Sequence, residues 1–398
     1  MCILGIALSA GLLAAPDSAW AQHVFTPEEL AAIAKDNARH FGDDPDQARP
    51  PAKLKPALKP KFVRQAIRKV ADWQLARSQP YFDQLWTSGA LYAGFLAASQ
   101  ATGDPKYRDT VRAMGEQFHW QLRTPAANPD NQCLAQAYLE LYRQERQQKM
   151  LAAVQDEFDA LAALPPDAEH NPWWWCDTLF MAPPAWARMY AATNDRKYLD
   201  YLNREWWTTS GKLYDQQEHL YFRDAGFFAQ REANGRKMFW SRGNGWVMAG
   251  MVRVLQFLPR DYPDRPRYLA QFRDMAARVA ELQGPDGLWR AGLLDPEYYG
   301  LPENSGSAFF VYALAWGINE GILDRHGFQP VVAKAWKGLL AHIYADGRLG
   351  CIQQTGDAPS FYKPTASYNY GVGAFLLAGS EVLRLAQENV SRVTRAAF

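Results

Sequence analysis

The chain has little of what metal and redox centres are built from. It holds 4 cysteines in 398 residues, with no CxxC pair. That excludes a thiolate zinc site and a disulfide framework; once a leader is removed, Cys133, Cys176 and Cys351 allow one bridge at most. The 7 histidines, at 23, 40, 119, 170, 219, 326 and 342, show neither HxxxH nor HExxH. No metal and no cofactor are therefore expected. Charge of one sign is lacking too. With 43 Lys and Arg against 42 Asp and Glu, the net charge of +1 provides no basic field for nucleic acid and no acidic tail. Runs long enough to cross a membrane are also missing. The apolar stretch in MCILGIALSAGLLAAPDSAWAQ is short and interrupted, and it ends in an A-x-A at Ala19 to Ala21. It reads as a secretory signal over 1–21, though without a basic start, and implies export to the periplasm or beyond.

Aromatic carbon is what the chain has in quantity. Fifteen Trp, 19 Tyr and 20 Phe suit either thick helix packing or a cleft that stacks on sugar rings. Residues 22–60, with ARPPAKLKPALKPK, read as an extended arm carrying one short helix near TPEELAAIAKDNARHF. From 61 to 398 the pattern is helical almost throughout, and one domain is expected there. TGDPKYRD at 102–109 returns as TNDRKYLD at 193–200, and PDRPRYLAQF at 263–272 has the same order of acidic cap, basic residue and tyrosine. Such amphipathic segments begin near 61, 105, 147, 195, 265 and 329. Between them lie six helices of small apolar residues, near Gly89, Asp130, Asp177, Gly243, Ser305 and Tyr370. Small helices can pack side by side inside while amphipathic ones cover them. The expected fold class is all-α, an (α/α)6 barrel of six inner and six outer helices. Short hairpins are expected on its rim at GKLYDQQEHLYF, DGLWRAGL and DGRLGCIQ.

That arrangement brings the starts of the inner helices, and the reactive-looking residues on them, to one mouth. Trp86, Ser88 and Gly89 open the first, Asp130 the second, Trp175 and Asp177 the third, Trp240 and Arg242 the fourth, Glu303 and Ser305 the fifth and Tyr368 the sixth. Helix N-termini attract anions. Asp177 follows three tryptophans in NPWWWCDTLFMAPPAW, and a carboxylate among indoles must be solvated, paired or part of the time neutral. Simpler readings stand beside this one. Asp130 and Asp177 can be helix caps, the tryptophans core, Arg242 an ion-pair partner and the GxG of RGNGW a tight helix entry. His170 has no assigned role.

With those residues in place, the sequence resembles the unsaturated rhamnogalacturonyl hydrolases of glycoside hydrolase family 105, from about residue 65 to 387. The motifs that carry the likeness are WTSGALYAG, PDNQCLAQAYLELY, WWWCDTLFMAPP, LYFRDAGF, FWSRGNGWVMAG, ENSGSAFFVYALAWGINEGIL and YNYGVGAFLLAGSEV, in that order. The resemblance implies the same toroid. It makes Asp177 the general acid/base and Asp130 the second essential carboxylate. Trp86, Gly89, Trp175, Arg223, Trp240 and Arg242 would line the pocket for the uronic acid. The implied reaction is hydration of the C4=C5 bond of a terminal unsaturated uronate on a short oligosaccharide left by a polysaccharide lyase, with unsaturated galacturonyl-rhamnose from pectin first in line. Ala135 departs from the family's usual Gly, and Ser88 and Arg223 stand where some members have Asn and His; the departure at Arg223 keeps unsaturated glucuronyl substrates open. A conventional glycosidase or epimerase on the same toroid, or a non-catalytic sugar-binding protein, are the rival readings.

Overall fold

A computed structural model describes residues 26–28, 31, 38, 41–79, 81–165 and 171–396, with side chains to 389. The signal segment, His170 and most of the arm's expected helix lie outside the described residues. Among the described residues, twelve helices longer than two turns alternate as the sequence pattern requires. The outer set is α1 (Pro60–Ser78), α3 (Pro105–Gln117), α5 (Lys149–Ala162), α7 (Lys197–Leu213), α9 (Arg265–Glu281) and α11 (Arg325–Ala341). The inner set is α2 (Trp86–Thr102), α4 (Ala135–Glu145), α6 (Pro183–Thr193), α8 (Ser241–Leu255), α10 (Asn304–Asn319) and α12 (Asn369–Ala396). Each inner helix packs on the next, and α12 returns to α2, so the ring closes.

Composition sorts the two layers. Every residue of α8 is buried, and α10 is buried from Asn304 to Ile318, as a helix with no solvent side must be. Where α2 meets α12 the backbones come close: a Cβ on Gly94 would lie 2.7 Å from the Cα of Gly373. Only glycine permits that approach. The outer helices keep a charged face, and their repeated motif has a physical purpose. Asp104 caps α3 by accepting from the Lys106 N–H at 3.2 Å, and Asp195 accepts from the Lys197 N–H at 3.0 Å. The buried tyrosine that follows reaches back to the preceding outer helix each time. Tyr107 donates to Asp72 at 2.5 Å, Tyr198 donates to Asp159, and Tyr268 donates to Asn203 at 3.3 Å. The repeat is thus a staple between neighbouring outer helices.

At the mouth, β2 (Tyr214–Asp215) pairs antiparallel with β3 (Leu220–Tyr221), the first expected rim hairpin. The other two glycine-rich pieces make isolated bridges, Trp240 with Gly292, Arg290 with Pro302 and Ile343 with Leu349. The arm does more than extend. Its strand β1 (Gly42–Asp43) pairs with β4 (Ser367–Tyr368) at the entry to α12, and Asp43 bridges Arg77 at 3.1 Å and Arg348 at 2.7 Å. No helix among the described residues is long and apolar enough to cross a membrane.

Candidate active site

Two inner helices start later than the sequence suggests, and the delay exposes the acids. Asp130 lies in a separate turn, Pro129–Gln132, ahead of α4, and Asp177 precedes another, Thr178–Met181, ahead of α6. Neither carboxylate serves as a cap. The cap of the first turn is Asn128, whose Oδ1 accepts from the Asp130 N–H at 3.0 Å, and Asp177 has helical dihedrals with no side-chain capping bond. The capping reading of both side chains is therefore set aside: Asn128 takes that role in the first turn, and Asp177, although it stands at the N-cap position of the second, makes no side-chain bond to the N–H groups of that turn.

Asp177 is 9% exposed. Its Oδ2 lies 3.3 Å from Cys176 Sγ and 3.8 Å from Arg223 Nε. Burial raises its affinity for a proton, while Arg223, the Cys176 thiol and Arg242 pull the other way. Asp130 makes no side-chain hydrogen bond or ion pair among the described residues. Burial first, then the Asp177 charge, pushes its carboxyl up to about 7, against Arg223 and Arg123. The two acids therefore feel each other, and near neutrality they hold a proton that an exposed pair would have lost.

Arg223 is the cation of this half of the mouth. Its Nη1 donates to Asp224 at 2.6 Å, its guanidinium carbon stands 5.5 Å from the Trp174 ring and 6.0 Å from the Trp175 ring, and its Nε has no hydrogen-bond partner among the described residues. The backbone secures the pairing, since the Cys176 N–H donates to the Arg223 carbonyl at 2.8 Å. The three tryptophans divide. Trp173 is buried against Tyr201, Trp175 is half-buried, and Trp174 is 54% exposed. An exposed indole beside a guanidinium and a buried acid is a surface on which a sugar ring can stack.

The other half of the mouth is tightly bonded. Arg242 is fully buried, and it has no carboxylate within ion-pair distance among the described residues. Its Nη1 donates to the Gln353 carbonyl and its Nη2 to that of Gln354, both at 2.8 Å. The Trp240 ring at 4.2 Å and the Tyr370 ring at 4.8 Å flank it. Trp240 Nε1 donates to Gln353 Oε1 at 2.9 Å, and the Tyr370 hydroxyl donates to the Gln353 carbonyl at 2.5 Å. Trp86 stacks on Tyr370 at 5.3 Å. The ion-pair reading of Arg242 is thus replaced: its terminal nitrogens organise a loop, and its charge reaches Asp177 only through space. Gly89 also has a packing role, because a Cβ there would lie 2.9 Å from Cys133 Sγ. Glu303 is spent on capping α10, accepting from the Ser305 and Gly306 N–H groups.

Sequence reasoning missed Gln353, Gln354, Tyr370 and Cys176. CIQQTG carries no motif, and only the fold brings it under Arg242. Among the described residues no group of His, Cys, Asp and Glu is placed to hold a metal ion.

A toroid of paired helices whose mouth joins two proton-retaining carboxyls to an aromatic wall fits a carbohydrate-active enzyme of the glycosidase class. The chain belongs to Glycosyl Hydrolase Family 88, whose family model matches residues 59–386. It is 39% identical over 339 residues to a protein of Formosa agariphila named unsaturated 3S-rhamnoglycuronyl hydrolase, covering 80% of this chain and 89% of that one. A solved structure named polysaccharide lyase is 31% identical, with TM-score 0.78 over 82% of this chain and 98% of the other. A Klebsiella pneumoniae structure described as a possible family 105 member shares the fold at 21% identity, with TM-score 0.68 over 82% and 93% of the two chains.

Proposed function

We propose that the protein hydrates the C4=C5 double bond of an unsaturated uronic acid joined to rhamnose, in short oligosaccharides left by a polysaccharide lyase. The observation that carries this reading is the coupled pair Asp177 and Asp130, neither of them used as a helix cap and both holding protons more firmly than exposed carboxyls do. Protonating an alkene carbon needs an acid that still carries its proton, and burial, which raises the affinity of Asp177 for a proton, favours that form. Asp177 donates its proton to C4, leaving an oxocarbenium ion shared by C5 and the ring oxygen. The Asp177 carboxylate then takes a proton from the water that attacks C5. The hemiketal opens by breaking the bond from C5 to the ring oxygen, which leaves a ketone at C5 and a hemiacetal at C1. That hemiacetal expels the next sugar as an alcohol. Asp130 orients the ring hydroxyls or the water, and Arg223, beside the exposed Trp174, faces the substrate carboxylate.

Elimination destroys the configuration at C4, which is the centre that distinguishes galacturonate from glucuronate. Both parents give the same unsaturated residue, so selectivity between polymers must come from the sugar that follows. The name of the Formosa relative supports rhamnose there.

The test follows the ultraviolet absorbance of the conjugated uronate. With unsaturated uronyl-rhamnose, bearing or lacking a 3-sulfate, the hydrolase makes the band fall. A lyase makes it rise on intact polymer, and a binding protein leaves it unchanged; either result rejects the proposal. We also propose export, supported by the apolar leader and its A-x-A; sequencing the N-terminus of the mature protein should begin at Gln22.

A further inference from the structure

The side-chain hydrogen bond that the mouth supplies to Asp177 comes from a thiol, and the reaction as written does not use that thiol. Cys176 is fully buried, and its Sγ lies 3.3 Å from Asp177 Oδ2. Three contacts fix where it points. Its N–H is tied to the Arg223 carbonyl at 2.8 Å, Asp177 follows it directly, and its sulfur fills the space that a Cβ on Gly243 of α8 would enter, 3.1 Å away. We propose that Cys176 is a positioning residue for proton transfer: its S–H holds the Asp177 carboxyl in one rotamer and sets how readily that group gives up its proton. The inference rests on the hydration reaction proposed above for its kinetic consequences, but the hydrogen bond itself is testable without turnover.

The chemistry favours sulfur at this place. Burial drives the thiol well above its ordinary range, so the proton stays on sulfur and the group acts as a donor. A thiol is a weak donor. It can orient the carboxylate without stabilising the anion as an N–H or O–H pair would, and the acid keeps its proton. The other charged groups that bear on Asp177 are Arg223 and Arg242, with Asp130 on the same side of the mouth and Asp224 beyond Arg223. Both arginines favour the anion, so a second strong donor would work against the acid.

The S–H stretching band falls in an infrared window free of other protein bands, and a difference spectrum of wild type against Cys176→Ala isolates this thiol. A hydrogen-bonded band that moves in Asp177→Asn is expected. A band at the frequency of unbonded thiols, or one unmoved by Asp177→Asn, overturns the proposal whatever the enzyme's activity. In kinetics, Cys176→Ala removes a group that favours the Asp177 anion, so the alkaline limb of the kcat profile should move to higher pH. kcat should fall about three- to tenfold with KM held. An unshifted limb in a variant that still turns over refutes the positioning role, whereas absent turnover in wild type refutes the hydration reading instead.

Discussion

The two halves of the mouth carry similar residues and spend them differently. On the side of α4 and α6, Asp130 has no side-chain partner among the described residues, Asp177 has a thiol and a distant guanidinium, and Arg223 Nε is unbonded. On the side of α8, α10 and α12, both Nη atoms of Arg242, Trp240 and Glu303 are committed to Gln353, Gln354 and the start of α10, and the Arg242 Nε, like that of Arg223, has no partner among the described residues. Carboxylates left under-satisfied in a low-dielectric site cost stability and stay available to a substrate, while a bonded one such as Glu303 specifies the shape of the wall. The first half is therefore the chemical one and the second its support. Substitutions should separate the two by what they damage.

The largest effect belongs to Asp177→Asn. It should lower kcat by roughly 10²- to 10⁴-fold, the range for a general acid, while the melting temperature holds or rises. A variant that keeps most of its turnover would move the chemistry to Asp130. Arg242→Ala should invert that pattern. Two carbonyls lose their donors and a buried cavity opens, so chemical denaturation should register a loss of about 2–4 kcal/mol. If Arg242→Ala instead retained full stability and lost only substrate affinity, the division between the halves would fail.

The sequence makes the helix count, the alternation of layers and the convergence on one mouth legible, because each rests on a local period or a cap. PDRPRY and its two relatives mark outer helices for a reason visible in the fold, the tyrosine that staples each to the one before. The details of the site are less legible. That Asp130 and Asp177 stand off from their helices depends on one-turn segments whose residues would equally well begin a helix, and the broken register is a tertiary decision. Arg242 shows the same limit. Next to GNG it invites an anion, and only the return of residues 353 and 354, more than a hundred positions later, takes up its donors.

Arg223 tests the border between the halves, since it is charged, half-bonded and close to the acid. Arg223→Gln removes the largest influence favouring the Asp177 anion. The acid should then stay protonated to higher pH, and the alkaline limb of kcat should move upward. KM should rise about tenfold through the lost contact with the substrate carboxylate. A limb that moved downward would show that Arg223 does not act on Asp177 as the geometry requires.

The smallest effect is a change in stability and comes from Asp130. Its carboxyl is raised from 3.8 to about 7 on folding, so the folded chain binds a proton that the unfolded chain has released. Stability that depends on this group is full below about pH 4 and is lost as the pH climbs to about 7, because above that point the folded state must hold a half-buried charge that Arg223 and Arg123 offset only in part. Asparagine carries no such charge. Asp130→Asn should match wild type in acid and exceed it at pH 8 by about 1–2 kcal/mol, with the gap opening across that interval. The gain would come with reduced turnover, as expected when a group is kept for chemistry at the expense of the fold. Equal denaturation curves at pH 8 would mean that Asp130 is solvated rather than held in the mouth, and the contrast between the two halves would lose its clearest member.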